Sequence, residues 1–150
     1  MKTYKVCAIK NGTVIDHIPE KKGHEILGLL NLEEWDYPVT LGIAFTSKKI
    51  KKKDIIKIEN RELTEEEVNK ISIIAPTATI SIIKNFEMVK KIKPKIPDQL
   101  VNILTCANPA CVTNNEPAKT RFTKEPGKEL LFHCDYCERI FDLDEIKVTK

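Results

Sequence analysis

Aromatic side chains are scarce in this sequence: one Trp, three Tyr and five Phe, 6% of its 150 residues. Proteins that grip single-stranded nucleic acid stack bases on aromatic platforms, and few are available here. The five glycines are too few for a Gly-rich linker or a low-complexity chain. No apolar run approaches the roughly 18–20 residues that cross a bilayer as a helix. The opening Met1-Lys2-Thr3-Tyr4-Lys5-Val6-Cys7-Ala8-Ile9-Lys10 lacks the apolar stretch of a secretory leader, so a soluble cytoplasmic protein without membrane contact is expected. Charge of one sign is also lacking, since 25 Lys+Arg against 22 Asp+Glu leave a net +3. What is present is 41% hydrophobic residues, enough for a globular chain of one domain or two small ones.

The cysteines are unevenly placed. Cys7 stands alone on an alternating stretch with Val6 and Ala8 and reads as a small core residue. Cys106, Cys111, Cys134 and Cys137 form C-x4-C and C-x2-C pairs on either side of a 22-residue gap. Each short pair can bend around an ion as a knuckle, with the intervening hairpin bringing the knuckles together. Four thiolates suit one structural Zn2+ and leave no position for a reactive water. Iron in a rubredoxin-like centre would use the same sulfurs. Two disulfides are the other use of four cysteines, one that a cytosolic chain disfavours. Around the ligands, 118–124 alternates as a strand, Glu125-Pro126-Gly127-Lys128 signals a turn, and 129–134 and 139–143 continue as strands. A small all-β, zinc-ribbon-like domain of about fifty residues needs its metal to fold.

Upstream, Ile92-Lys93-Pro94-Lys95-Ile96-Pro97 has two prolines and reads as a linker, with Asp98 as N-cap of a short helix or turn through Leu104. Strands are expected at 5–9 and 14–17, joined as a hairpin by Asn11-Gly12. A helix follows over 21–31, with Ile26, Leu27 and Leu30 on one face, then strands at 39–46 and 54–58. Thr64-Glu65-Glu66-Glu67 is a capping box opening a second helix with Val68 and Ile71 inward. Strands at 77–83 and 86–90 close the domain. The fold class is α+β: a ferredoxin-like antiparallel sheet with two helices on one face over 1–97, and the small β domain over 98–150.

Charge is segregated between them. Residues 1–97 carry 18 basic and 13 acidic side chains, and residues 98–150 carry 7 and 9. With four thiolates and one divalent cation the second domain is at about −4, unsuited to phosphate backbones. The alternative function, a zinc-ribbon nucleic-acid-binding protein, rests on the run Lys48, Lys49, Lys51, Lys52 and Lys53, which alone reads as a solvated loop. An enzyme is the third class, and no nucleophile–base constellation supports it: His17, His24 and His133 stand in unrelated contexts. Taken alone, Asp16-His17 is a surface pair at a strand end and Lys57 a strand lysine with its stem along the sheet.

Four segments in order nevertheless carry a specific resemblance. They are Gly12-Thr13-Val14-Ile15-Asp16-His17-Ile18-Pro19, Lys53-Asp54-Ile55-Ile56-Lys57-Ile58-Glu59-Asn60, Ala75-Pro76-Thr77-Ala78-Thr79 and the spaced cysteines. Over nearly its whole length the chain resembles the regulatory chain of aspartate carbamoyltransferase. The resemblance implies a non-catalytic subunit of pyrimidine biosynthesis. Its N-terminal domain would bind CTP and ATP, with UTP acting alongside CTP in some members, and would pair with a second copy. Its zinc domain would dock on catalytic chains. By the same resemblance, Asp16 and His17 are ribose- and phosphate-side contacts, Lys57 a ribose and base-edge contact, and Lys91 a triphosphate contact. Backbone groups at Ala8, Ile9 and Ile83 would read the base, and Val14 and Met88 would pack on ribose or base. Ser81 stands where the family commonly has Asn, and Phe86 replaces a frequent Tyr. Asn108 and Glu138 match positions facing the catalytic chain. Protonation of His17 beside phosphate would strengthen effector binding as pH falls towards six.

Overall fold

The structure, a computed structural model, describes residues 8–48 and 51–149. The chain divides into two compact units, Met1–Lys95 and Ile96–Lys150. The first runs β1 (Gly12–Pro19), α1 (Gly23–Leu29), β2 (Val39–Thr46), β3 (Lys52–Glu59), α2 (Glu65–Ile74), β4 (Thr79–Lys84) and β5 (Glu87–Ile92). All five strands pair antiparallel in the order β2-β3-β1-β4-β5. This is two interlocked split β-α-β units, the ferredoxin-like arrangement, with β5 added at one edge.

Period-two patterning builds the sheet. Leu41, Ile56, Ile15, Ile80 and Ile92 stand directly opposite one another, one per strand, on the core face. Ile15 and Ile56 are completely buried and Ile80 is 1% exposed. Ile26 of α1 and Ile71 of α2 are also completely buried, and the two helices touch. Helix α2 starts where the sequence places it. The Thr64 hydroxyl accepts from the Glu67 N–H at 3.1 Å and the Glu67 carboxylate accepts from the Thr64 N–H at 3.0 Å, so two orphan donors are satisfied reciprocally.

Three expectations need correction. Both edges of β1 are occupied, by β3 and β4, so Asn11-Gly12 is not the turn of a hairpin ending in β1; Gly12 is the first residue of that strand. The strand expected at 5–9 lies mostly outside the described residues, as does Cys7, and Ala8 and Ile9 are not in a strand. No helix or turn is capped by Asp98. Instead β6 (Gln99–Val101) and β7 (Leu104–Thr105) occupy that stretch, and the Asp98 carbonyl accepts from the Lys124 N–H at 2.8 Å. Pairing of Leu100 with Phe122 buries both completely, more than an isolated short helix would bury.

In the second unit α3 (Val112–Asn115) precedes β8 (Arg121–Lys124), β9 (Leu131–Cys134), β10 (Ile140–Asp142) and β11 (Lys147–Val148). The sheet order is β10-β9-β8-β6, with β11 and β7 as a separate pair. Gly127 adopts φ +123° in the β8–β9 turn, where its lack of a Cβ is needed. Leu100, Leu104, Phe122, Phe132 and Cys134 are fully buried.

Candidate metal centre and effector face

The four cysteines of the second unit converge. Cys106 follows β7, Cys111 is the N-cap residue of α3, Cys134 ends β9 and Cys137 lies in the turn before β10. Their Sγ atoms all lie within 4.8 Å of one another, with Cys106–Cys137 at 3.7 Å and Cys111–Cys134 at 3.8 Å. A tetrahedral ion with metal–sulfur bonds of about 2.3 Å needs sulfur–sulfur edges of about 3.8 Å, whereas a disulfide needs about 2.05 Å. The thiols fit one metal ion and are not disulfide-bonded. Four sulfur ligands close the shell, so the site is structural.

Neighbouring polar groups hold the knuckles in shape. The Asn114 amide donates to the Cys106 carbonyl at 2.9 Å and the Asn108 carbonyl at 2.7 Å, while Asn115 donates to the Cys111 carbonyl at 3.0 Å. The Asn108 side chain accepts from the Ala110 N–H at 3.0 Å and hydrogen-bonds Cys137. Burial pushes the Cys106 thiol up to about 12 and raises Cys134. Burial also opposes ionisation of Cys137, but the Arg139 N–H, Asn108 and neighbouring sulfurs bring it down to about 7. A divalent ion supplies the positive charge that displaces such protons. Of the two positions expected to face a partner, Asn108 is buried and Glu138 is exposed in the left-handed region at φ 63°. The roles of Asn114 and Asn115 escaped the sequence reading, although polar residues next to a cysteine pair are a signal for them.

The other face of the N-terminal sheet carries a second constellation. One register position out of phase with the core row, Thr40, Lys57, Val14, Ser81 and Lys91 stand opposite one another across all five strands. Lys57, Val14 and Ser81 are half-buried, and Lys91 is exposed. The neighbouring row places Ile83 between Gly12 and Met88. Ala8 and Ile9 precede β1, where the Lys10 carbonyl accepts from the Phe86 N–H at 2.9 Å and the Asn11 side chain from the Asn85 N–H at 3.1 Å. That ties their segment to the β4–β5 turn.

Asp16 and His17 sit at the far end of the same strand, in a bulge where His17 adopts φ 55°. Asp16 Oδ1 accepts from Lys53 Nζ at 2.9 Å and from the His17 N–H at 2.6 Å, and His17 Nδ1 lies 3.1 Å from Thr79 Oγ1. Beside them a hollow of about 480 Å³ is lined by His17, Thr46, Ser47, Lys48 and Lys53. The lysine run is therefore not a plain solvated loop: Lys52 and Lys53 open β3, and Lys53 is half-buried, while Lys49 lies outside the described residues. Thr46, Ser47 and Lys53 were missed from sequence because only the fold brings them beside His17.

Fold and site together define a class: a two-unit protein with a structural metal site in one unit and, in the other, a sheet face carrying lysines with a hollow of about 480 Å³ at one end. Residues 4–95 match the family described as aspartate carbamoyltransferase regulatory chain, allosteric domain, and residues 98–147 match its metal binding domain. Aspartate carbamoyltransferase regulatory chains from Thermococcus sibiricus, Pyrococcus horikoshii and Phocaeicola vulgatus are 49%, 45% and 42% identical to it. The alignments cover 95%, 97% and 96% of this chain and 94%, 97% and 93% of the respective relatives. The chain belongs to the aspartate carbamoyltransferase regulatory chain family. It is a non-catalytic subunit, and its allosteric and pyrimidine-related roles follow from the family. Among the described residues no helix is long and apolar enough to cross a membrane.

Proposed function

We propose that the helix-free face of the N-terminal sheet holds a nucleoside triphosphate, CTP or ATP, and that its occupancy regulates catalytic chains bound to the metal unit. The observation that carries this reading is the cross-strand row: an apolar and small-residue floor, Val14 and Ser81, set between two ammonium groups, Lys57 and Lys91. The floor suits a base and ribose. A triphosphate carries about four negative charges at neutral pH, and the flanking lysines, together with Lys48 and Lys53 at the hollow, can share them. The carboxylate of Asp16 accepts hydrogen bonds and so suits ribose hydroxyls better than phosphate.

The metal, Zn2+ by its fit to four thiolates, holds the docking unit in shape. Exposed apolar side chains stand beside both cysteine pairs, Val112 next to Cys111 and Tyr136 between Cys134 and Cys137, with Glu138 following. An apolar patch edged by a carboxylate suits a catalytic-chain surface carrying Lys or Arg, and Asn108 shapes it from within. Two copies pair through the N-terminal unit, and the assembly works in the cytoplasm without nucleic acid. Effector binding shifts a two-state equilibrium by its differential affinity, a coupling of about 1–3 kcal/mol.

Reciprocity supplies the test. In the intact complex, a bisubstrate analogue at the catalytic site must change CTP affinity by the factor by which CTP changes the analogue's affinity. Calorimetry that finds CTP affinity indifferent to the analogue refutes equilibrium coupling. Failure of both CTP and ATP to bind refutes the effector site.

A further inference from the structure

Asp54 has no role in the metal centre or in the row of effector contacts, yet it is completely buried on β3, with no lysine or arginine paired to it among the described ion pairs. A buried carboxylate is costly unless hydrogen bonds compensate it, and here three backbone donors do so. Oδ2 accepts from the Lys21 and Gly23 N–H groups, both at 3.1 Å, and Oδ1 accepts from the Ala44 N–H at 3.1 Å. Those donors belong to three different places: the turn after β1, the first residue of α1 and the middle of β2.

The register shows what these bonds hold. On one side of β3 the pairing jumps from Gly42↔Ile55 to Phe45↔Lys53, so Ile43 and Ala44 together oppose Asp54. On the other it jumps from Ile15↔Ile56 to Ile18↔Asp54, so Asp16 and His17 together oppose Ile55. These are two bulges, one on each neighbour of β3, with Ala44 at φ 60° and His17 at φ 55°. A non-glycine residue in the left-handed region persists only where its surroundings determine it. The hollow beside them takes His17 from the β1 bulge, Thr46, Ser47 and Lys48 from the chain leaving the β2 bulge, and Lys53, the residue next to Asp54, from β3. Gly23 is shaped to the same end: an added Cβ would lie 2.9 Å from Asp54 Oδ2 and 2.8 Å from Leu41 Cδ1.

We infer that Asp54 is the positioning residue of the effector site's phosphate end: its buried carboxylate fixes the β2 bulge and the start of α1, and thereby sets Lys53, Ser47 and Lys48 around the hollow. The inference rests on the nucleotide reading above and deepens it, because it assigns the hollow to the phosphates and not to the base. Preorganisation of this kind is felt at the group being positioned and not across the whole ligand.

The test compares CTP with cytidine, which lacks the phosphates, on the full metal-loaded chain. In Asp54→Asn one oxygen becomes an amide that cannot accept, so one clamp bond is lost. CTP affinity is expected to fall roughly tenfold, the worth of one charge-assisted bond, while cytidine affinity stays unchanged. In a Lys53→Ala background the same change should cost much less, since coupled residues do not add. Gly23→Ala, which displaces the carboxylate sterically, should reproduce the selective loss. In the unmutated chain, CTP but not cytidine should slow hydrogen exchange of the Ala44 and Gly23 amides, a readout independent of how the variants fold. Wild-type binding of CTP combined with an unaltered CTP-to-cytidine ratio in both variants, or with unmoved amides, overturns the role of Asp54 and leaves the nucleotide reading standing. A wild-type chain that binds neither CTP nor ATP overturns both.

Discussion

Removing the metal should unfold one unit and spare the other. The C-terminal unit, Ile96–Lys150, has a core of Leu100, Ile103, Leu104, Phe122, Phe132, Phe141 and Ile146. An apolar core in so short a chain rarely leaves more than about 3–5 kcal/mol of net stability. Structural zinc in small domains contributes an apparent ~10–16 kcal/mol. The loss on chelation therefore exceeds what the apolar core can supply by a factor of about two or more. Loss of the ion also leaves Cys106, Cys111 and Cys134 buried with sulfurs 3.7–3.8 Å from their neighbours, where burial disfavours the thiolates and only weak thiol contacts replace the metal–sulfur bonds that tie the two knuckles together. The assay uses a strong chelator with far-ultraviolet circular dichroism and limited proteolysis. Cleavage should concentrate in 96–150, and the strand signal should fall only in part. The single tryptophan, Trp35, lies in the other unit, where its indole N–H donates to the Glu59 carbonyl at 2.7 Å and Arg61 stacks 5.2 Å from its ring centroid. Its fluorescence should not move, and CTP binding should persist. Full protection of residues 96–150 after verified removal of the metal would refute the reasoning, and so would a shift of Trp35 emission at the same chelator concentration.

Three other outcomes are expected. Lys91→Ala should weaken CTP and ATP binding roughly tenfold without preventing assembly; unchanged affinities in calorimetry remove Lys91 from the site. Thr64→Ala breaks the reciprocal bonds at the start of α2 and should cost about 1 kcal/mol in denaturant unfolding of the N-terminal unit, with an unaltered midpoint contradicting the cap. Ile15→Ala empties the centre of the core row and should cost about 2–5 kcal/mol by the same measurement, against less than about 0.5 kcal/mol for a change at exposed Lys90.

Legibility followed the range of the interaction that decides each feature. The core row could be read because Ile15, Ile56 and Ile80 obey period two within their own strands. Helix α2 could be read because Thr64 and Glu67 satisfy each other three residues apart. The metal centre could be read because cysteine spacing within each knuckle is itself the coordination geometry. Between Asp98 and Leu104 local information failed. Leu100, Ile103 and Leu104 fit one face of a helix as well as they fit short strands, and the choice is made by Phe122, more than fifteen residues away.

The proposed effector site divides along the same line. Its sheet row needs only alternation and strand order, so Lys57, Val14, Ser81 and Lys91 fall together once the sheet forms in register. Its hollow needs two bulges, and nothing in Ile43-Ala44 or Asp16-His17 demands an extra residue there. A bulge is fixed by what its displaced backbone groups can bond to. For the β2 bulge that partner is Asp54, ten residues along the chain on the neighbouring strand. In sequence, this carboxylate inside an apolar strand reads as a flaw in the alternation between Lys53 and Ile55. In the fold it accepts from the Ala44 N–H in the β2 bulge, beside the proposed effector hollow, so such breaks in an otherwise regular strand are where residues that position a site are to be sought.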